Sequence, residues 1–227
     1  MSGKVVVNRS MSLDGFIAGP GDAMDWIFDF VAPDEFPEIA AATGAMLIGR
    51  RTYEVGKRME ADQPGSTDYP FSGPVFVLTH EPPDPLDPAV TFLTGDIGEE
   101  VAMALDAAGG KNLEILGADV AGQCLRRGLV DEILVYVLPV LLGDGIRFYS
   151  SPGVERTDLE ALGSTQSGAV TILRFASASS HRCNTAARRA LHDPQVLVNG
   201  PPIAQRPVTA RRNPSVRKPA SGPGPCR

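Results

Sequence analysis

Chemistry in this 227-residue chain concentrates in short segments where glycine stands beside charged or hydroxyl side chains. In Gly49-Arg50-Arg51-Thr52-Tyr53-Glu54 an apolar run ends and a helical stretch begins. A strand-to-helix junction presents unpaired amide N–H groups and the positive end of the helix dipole. Two arginines and a threonine hydroxyl complete an anion site suited to a nucleotide phosphate. The alternative is a pair of solvated arginines on a first helical turn, a position that ordinarily favours acids. Leu116-Gly117-Ala118-Asp119-Val120-Ala121 is a second such junction, of the form a pyrophosphate-binding turn takes. Asp119 stands where a phosphate would go and has the alternative role of capping the helix.

Two further segments pair glycine with an aspartate. Met11-Ser12-Leu13-Asp14-Gly15-Phe16-Ile17-Ala18 follows the first apolar run. Gly15 lets the backbone turn sharply, and Ile17-Ala18 offers small apolar surface for a flat ring. The other reading is a hairpin-like turn in which Asp14 bonds its own backbone. Leu141-Leu142-Gly143-Asp144-Gly145 reads as a tight bend, against a ligand or as a bare turn.

These segments need a scaffold. Up to about Ser177, short β-branched runs alternate with helical stretches, the pattern of an α/β sheet covered on both faces. Strands are expected at 5–8, 45–48, 75–79, 90–93, 113–116, 132–142 and 169–175, with helices at 34–43, 97–108 and 119–127. Asp96 is placed to cap the second helix, Gly109-Gly110 to stop it and Gly128 to stop the third. Loops are expected at 60–73 and over the run EPPDPLDP at 81–88, where proline excludes helix and central strand. The run 132–142 is long and apolar, and as an exposed edge it would invite pairing with a second copy.

Past Ser177 the periodicity stops. Residues 178–227 hold eight prolines and nine basic residues against the single acid Asp193, a net of +8. The remaining 12 basic and 26 acidic residues leave the body at −14. The chain therefore divides into a domain at 1–177 and a basic Pro/Arg-rich tail at 178–227. The tail is expected to be disordered, for want of apolar surface to offset its ordering entropy. An acidic body argues against nucleic acid as a specific partner. No apolar run reaches the roughly 20 residues of a membrane span, and the start MSGKVVVNRS lacks a signal-peptide core, so a cytoplasmic protein is expected. Cys124, Cys183 and Cys226 are odd in number and widely spaced, and the histidines show no ligand spacing, so neither a disulfide framework nor a metal site is expected.

Taken in order, MSLDGFIA, AMDW at 23–26, LIGRRTYE at 47–54, VFVLT ending at Thr79, LGADVAGQCLRRGLVDEI at 116–133 and PVLLGDG at 139–145 resemble the dihydrofolate reductase superfamily. The closer likeness is to the reductase half of the bifunctional riboflavin-biosynthesis deaminase-reductase and its stand-alone relatives, over roughly residues 3–176. The resemblance implies an α/β three-layer sandwich with a central, mostly parallel sheet, and NADPH along the carboxyl ends of its strands. It implies Arg50, Arg51 and Thr52, after Gly49, on the adenosine phosphates, with Thr79 beside the adenine ribose. Gly117, Ala118, Asp119, Val120 and Ala121 would face the pyrophosphate, and Ile17 and Ala18 would lie beneath the nicotinamide. The bend from Gly143 to Gly145 would close the site. A homodimer is implied as well.

The substrate side carries over less fully. Asp14, Asp25, Asp29, Asp34 and Glu35 are all candidates for the acid that meets the substrate. Asp14 is taken as the proton-relaying residue, with Ser12, Asp25 and Trp26 around the small-molecule substrate. The HxE and PCxxC zinc ligands of the deaminase half are absent from the sequence, which rules out zinc deamination. The expected activity is NADPH-dependent reduction of a small polar heterocycle or sugar-amine, such as a pterin or pyrimidine. The competing classes are a non-catalytic nucleotide-binding protein of the same fold and a polyanion binder working through the tail.

Overall fold

The computed structural model describes residues 3–31, 37–62, 71–150 and 156–177, all within one unit. The expected tail, Asp34, Glu35 and most of the 60–73 loop lie outside the described residues. In chain order the elements are β1 Val5–Ser12, β2 Phe16–Ala18, α1 Pro37–Ala42, β3 Thr43–Gly49, α2 Arg50–Asp62, β4 Val75–Leu78 and β5 Thr91–Leu93. There follow α3 Ile97–Ala107, β6 Asn112–Leu116, α4 Ala118–Arg126, β7 Glu132–Leu138, β8 Ile146–Arg147, β9 Leu159–Ser167 and β10 Val170–Ser177.

Eight strands form one sheet in the order β5-β4-β3-β6-β1-β7-β10-β9. The pairings from β5 to β7 are parallel, and β10 is antiparallel to both β7 and β9. Such central strands are buried on both faces, and their sequences are accordingly near-continuous apolar runs. One face packs Val7, Leu47, Leu113 and Ile115 with Ala104 of α3 and Cys124 of α4. The other sets Leu134, Tyr136 and Leu138 against Trp26, Ile27, Phe30 and Ile39. Asp96 accepts from the Gly98 N–H at the start of α3, as expected of its cap. Burial pushes the Cys124 thiol up to about 12, which leaves it a packing residue.

Several boundaries differ from those expected, for local reasons. β1 runs on to Ser12, so Met11 and Ser12 are strand residues paired with Val137 and Leu138. β7 stops at Leu138, because Pro139 has no N–H to give the ladder and the Leu13 N–H is taken by the Val140 carbonyl. The first helix is short, and Thr43 already belongs to β3. β9 pairs with β10 although eight of its nine residues are exposed, which leaves no apolar alternation to read. Most consequentially, β7 lies between β1 and β10, so the premise that it is an exposed edge fails. The sheet edges are β5 and β9.

Candidate functional site

The carboxyl ends of the parallel strands open into a cleft of about 1490 Å³. Because β3 and β6 are neighbours, the helices that follow them start side by side. Gly49, Arg50, Arg51 and Thr52 line the cleft from the first junction, and Gly117, Ala118, Asp119 and Val120 from the second. Gly117 holds φ +101°, and a Cβ there would come within 2.7 Å of Thr52 Oγ1. A side chain there would displace the Thr52 hydroxyl, whereas the Gly49 N would lie at an ordinary 3.6 Å, so the two N-termini sit side by side on the cleft wall. Thr79 lies at the next strand end, also on the cleft wall. Ala121 does not reach the cleft. Its N–H closes the first turn of α4 on the Gly117 carbonyl and its side chain enters the core.

The charged groups here are already partnered. Arg50 donates from Nε to Glu54 at 2.7 Å and from Nη1 to the Glu81 carbonyl at 3.0 Å. The Glu54 carboxylate holds Arg50 further toward its charged form. Arg51 and Arg58 both bond Asp22, at 2.8 and 2.9 Å, and the Arg51 bond pulls the Asp22 carboxyl below the usual carboxylate range. Asp119 does not cap its helix. Gly117 is the N-cap residue, and the Asp119 carboxylate instead accepts from Gln123 one turn on, at 2.7 Å.

At the middle of the cleft, Ile17 and Ala18 of β2 form a buried apolar shelf. The bend at 139–147 supports it from behind. A Cβ on Gly145 would lie 2.0 Å from the Ala18 carbonyl oxygen, and Arg147 stacks over Phe16 at 4.5 Å. Asp14 ties this bend to β1. Its carboxylate accepts from Ser12 Oγ at 2.6 Å, from the Leu142 N–H at 3.1 Å and from the Gly143 N–H at 2.7 Å. Led by the Ser12 bond, these contacts lower the Asp14 carboxyl to about 2.

The predicted catalytic acid therefore does not line the cleft and acts as a clasp to the distant 142–143 backbone rather than chiefly bonding its own turn. Gly143 belongs to the same clasp and does not line the cleft. Ser12 is fully buried, with its Oγ accepting from the Phe16 N–H while donating to Asp14, so it has no surface for a substrate. Asp25 and Asp29 are exposed and outside the cleft lining. Trp26 packs against the β7 face and donates its Nε1–H to the Ala23 carbonyl, so it is core more than cleft wall.

The far end of the cleft rests on polar residues that the expected site did not contain. Asn8, Arg9, Glu114 and Tyr136 line it beneath an apolar wall that includes Ile27, Phe28, Ile39 and Met46. Glu114 is 3% exposed. Its Oε1 accepts from Asn8 Nδ2 at 3.0 Å, and Thr43 Oγ1 lies 3.0 Å from Oε2. Burial raises its carboxyl, against the pull of Thr43, Arg9 and Asn8. Burial likewise brings the Arg9 guanidinium down to about 10, opposed by the charge of Glu114. A signal for these residues was present in the sequence: Asn8-Arg9 directly follows the run VVV within one strand, and Glu114 interrupts LEIL. Charge inside a doubly buried strand calls for a reason.

A central, mostly parallel sheet with a ligand-sized cleft over its strand ends defines a dihydrofolate reductase-like fold. The dihydrofolate reductase of Enterococcus faecalis in complex with NADP(H) shares it, at a TM-score of 0.54 and 15% identity over 78% of this chain and 98% of that one. Within that fold, the chain belongs to the RibD C-terminal domain family, which matches residues 3–173. A candidate riboflavin biosynthesis protein from Shewanella sp. PV-4 superposes at a TM-score of 0.64, 24% identical over 77% of this chain and 98% of that one. The deaminase/reductase of Thermotoga maritima does so at 0.57, 17% identical over 78% of this chain and 57% of that one. Among curated proteins, YwjB of Bacillus subtilis (strain 168) is 27% identical over 182 residues, 78% of this chain and 100% of that protein. No described helix is long and apolar enough to cross a membrane.

Proposed function

We propose that the chain is an NADPH-dependent oxidoreductase that reduces a small, flat, polar heterocycle of the pterin or pyrimidine kind. The observation that carries this is one continuous cleft with three unlike parts: paired helix N-termini, an apolar shelf and a polar floor. The residues present fit a reduced nicotinamide dinucleotide. Gly49, Thr52 and Gly117 to Val120 would hold its pyrophosphate on backbone N–H groups, where a Cβ at Gly117 would intrude. Arg50 and Thr79 would hold the adenosine phosphate and ribose, and Ile17-Ala18 the nicotinamide face. When bound, that ring supplies the hydride.

What the chain itself contributes is position and dryness. The Asp14 clasp fixes the shelf, the 19–31 segment and α1 wall the acceptor end, and the floor orients the acceptor. Asp14 is withdrawn as proton relay, since a carboxyl held near 2 and engaged on three sides holds no proton at neutral pH. Glu114 is the buried acid at the acceptor end.

The test is absorbance loss at the reduced-nicotinamide band with a panel of pterins, pyrimidinediones and quinones. Turnover with a member of the panel is expected. Binding of NADPH without turnover of any would favour the second reading, a non-catalytic nucleotide-binding protein of the same fold, whose support is that the expected acid Asp14 is engaged by Ser12, Leu142 and Gly143. We also propose a cytoplasmic homodimer that pairs through β9, the exposed sheet edge, in place of β7. Sedimentation as a monomer at micromolar concentration would remove it.

A further inference from the structure

One carboxylate on the cleft wall answers two arginines. Asp22 Oδ1 lies 2.8 Å from Arg51 Nε and 2.6 Å from Arg51 Nη2, and Asp22 Oδ2 lies 2.9 Å from Arg58 Nη2. Among the described residues these are the only ion pairs of either arginine. Asp22 and Arg51 line the cleft, whereas Arg58, about two turns further along α2, does not. The Asp22 side chain is 12% exposed, between arginines that are 68% and 61% exposed. Its backbone holds φ +67°, the one non-glycine positive φ among the described residues and an uncommon conformation that the surroundings must impose. The carboxylate is thus set between the two guanidiniums.

The charges in this group do not cancel. Two guanidiniums against one carboxylate leave a net +1. Arg51 and Asp22 alone would be neutral, and an incoming phosphate would meet a carboxylate beside the arginine. With Arg58 on its other oxygen, Asp22 is balanced from outside the cleft. We propose that Arg58 is a positioning residue of the cofactor end: by balancing Asp22 it leaves Arg51 with an uncompensated positive charge for a phosphate of the dinucleotide. This rests on the reading of that end as the cofactor's. Both guanidiniums touch the same carboxylate, so their charges act on one place within the roughly 8 Å screening length of physiological salt. Their exposure keeps the effect to the scale of a surface charge pair.

Calorimetric titration of the full chain with NADP+ tests this through the charge of the group. Arg58→Met makes it neutral, Asp22→Asn adds one positive charge, and the double variant returns to the native value. Asparagine also tolerates the left-handed backbone that Asp22 adopts. Asp22→Asn should therefore bind most tightly, the native chain and the double variant alike, and Arg58→Met most weakly. Arg58→Met should lose about threefold against the native chain, less at high salt, and Arg58→Lys should keep most of the native affinity. Lumazine, the pteridine-2,4-dione, serves as a probe of the acceptor end, and its affinity should not follow this order. Native NADP+ affinity in a folded Arg58→Met would overturn the proposal, as would a loss that Asp22→Asn does not restore or that lumazine shares. Should Arg58→Met fail to fold, Asp22→Asn decides, and no gain for NADP+ counts against the proposal. No binding of NADP+ by the native chain would sink the cofactor reading and the proposal together. The expected order of affinities without hydride transfer to any acceptor would sink the reductase reading and leave Arg58 standing.

Discussion

The two ends of the cleft are built from different materials. At the β3–α2 and β6–α4 junctions the cleft wall is two helix N-termini, with Gly117 close against Thr52 and arginines at the rim. At the far floor it is side chains, Asn8, Arg9 and Glu114, buried inside strands. A site made of backbone tolerates varied side chains around it but no Cβ at its glycines. A site made of buried polar side chains depends on their identities. The first end therefore suits a part common to many reactions, the second a part particular to one.

The largest effect is expected between the two ends, where the shelf is braced. Gly145→Ala would set a Cβ against the Ala18 carbonyl in a backbone conformation of φ +133°. It should cost about 3 kcal/mol or more in a denaturant melt, beyond ordinary backbone strain. A cost within about 0.5 kcal/mol would show that the bend does not brace the shelf. Gly117→Ala should cost about 1 to 3 kcal/mol for its φ alone and weaken NADPH, while leaving lumazine affinity unchanged. Loss of both ligands together would erase the distinction between the ends.

Arg50→Ala should lower NADPH affinity about tenfold and hardly touch NADH, because a 2′-phosphate is where a charge-assisted bond is lost. Equal losses would place Arg50 away from that phosphate. Asp14 gives a pH signature. Its folded carboxyl lies near 2, below the roughly 3.9 of an unfolded aspartate. The clasp is therefore fully present above that value and lost as pH falls from about 4 to 2. Melting temperature should drop across that window, and Asp14→Asn should flatten the drop. The smallest effect is expected at Asp22→Asn, since its two arginine partners are solvent-exposed and such ion pairs contribute about 0 to 1 kcal/mol. Freeing Arg51 should leave stability nearly unchanged and, if anything, tighten NADPH.

The same contrast explains what was legible in the sequence. Strand ends followed by Gly and a helical run announce the proposed cofactor end, because the local pattern alone places helix N-termini there. Gly49, Arg50, Thr52, Thr79 and Gly117 all reach the cleft, as do Ile17 and Ala18. The acceptor end was not legible in this way. Asp14 looked catalytic because it sits between a shelf and a turn, and its true partners, Leu142 and Gly143, are more than a hundred residues away. Asn8 and Glu114 are brought together by the β1–β6 pairing, a register no local pattern encodes. Strand β9 and the interior place of β7 were missed for a like reason: pairing partners are tertiary facts.

The central claim, hydride transfer across this cleft, is met most directly by single turnover with NADPH deuterated at C4. The acceptor would be whichever member of the heterocycle panel the chain turns over fastest. The account predicts that one deuterium, from one of the two C4 faces, appears on carbon of the product in step with loss of the reduced-nicotinamide absorbance. Oxidation of NADPH with no deuterium on carbon of the product, or no oxidation of a bound NADPH by any acceptor, would contradict it.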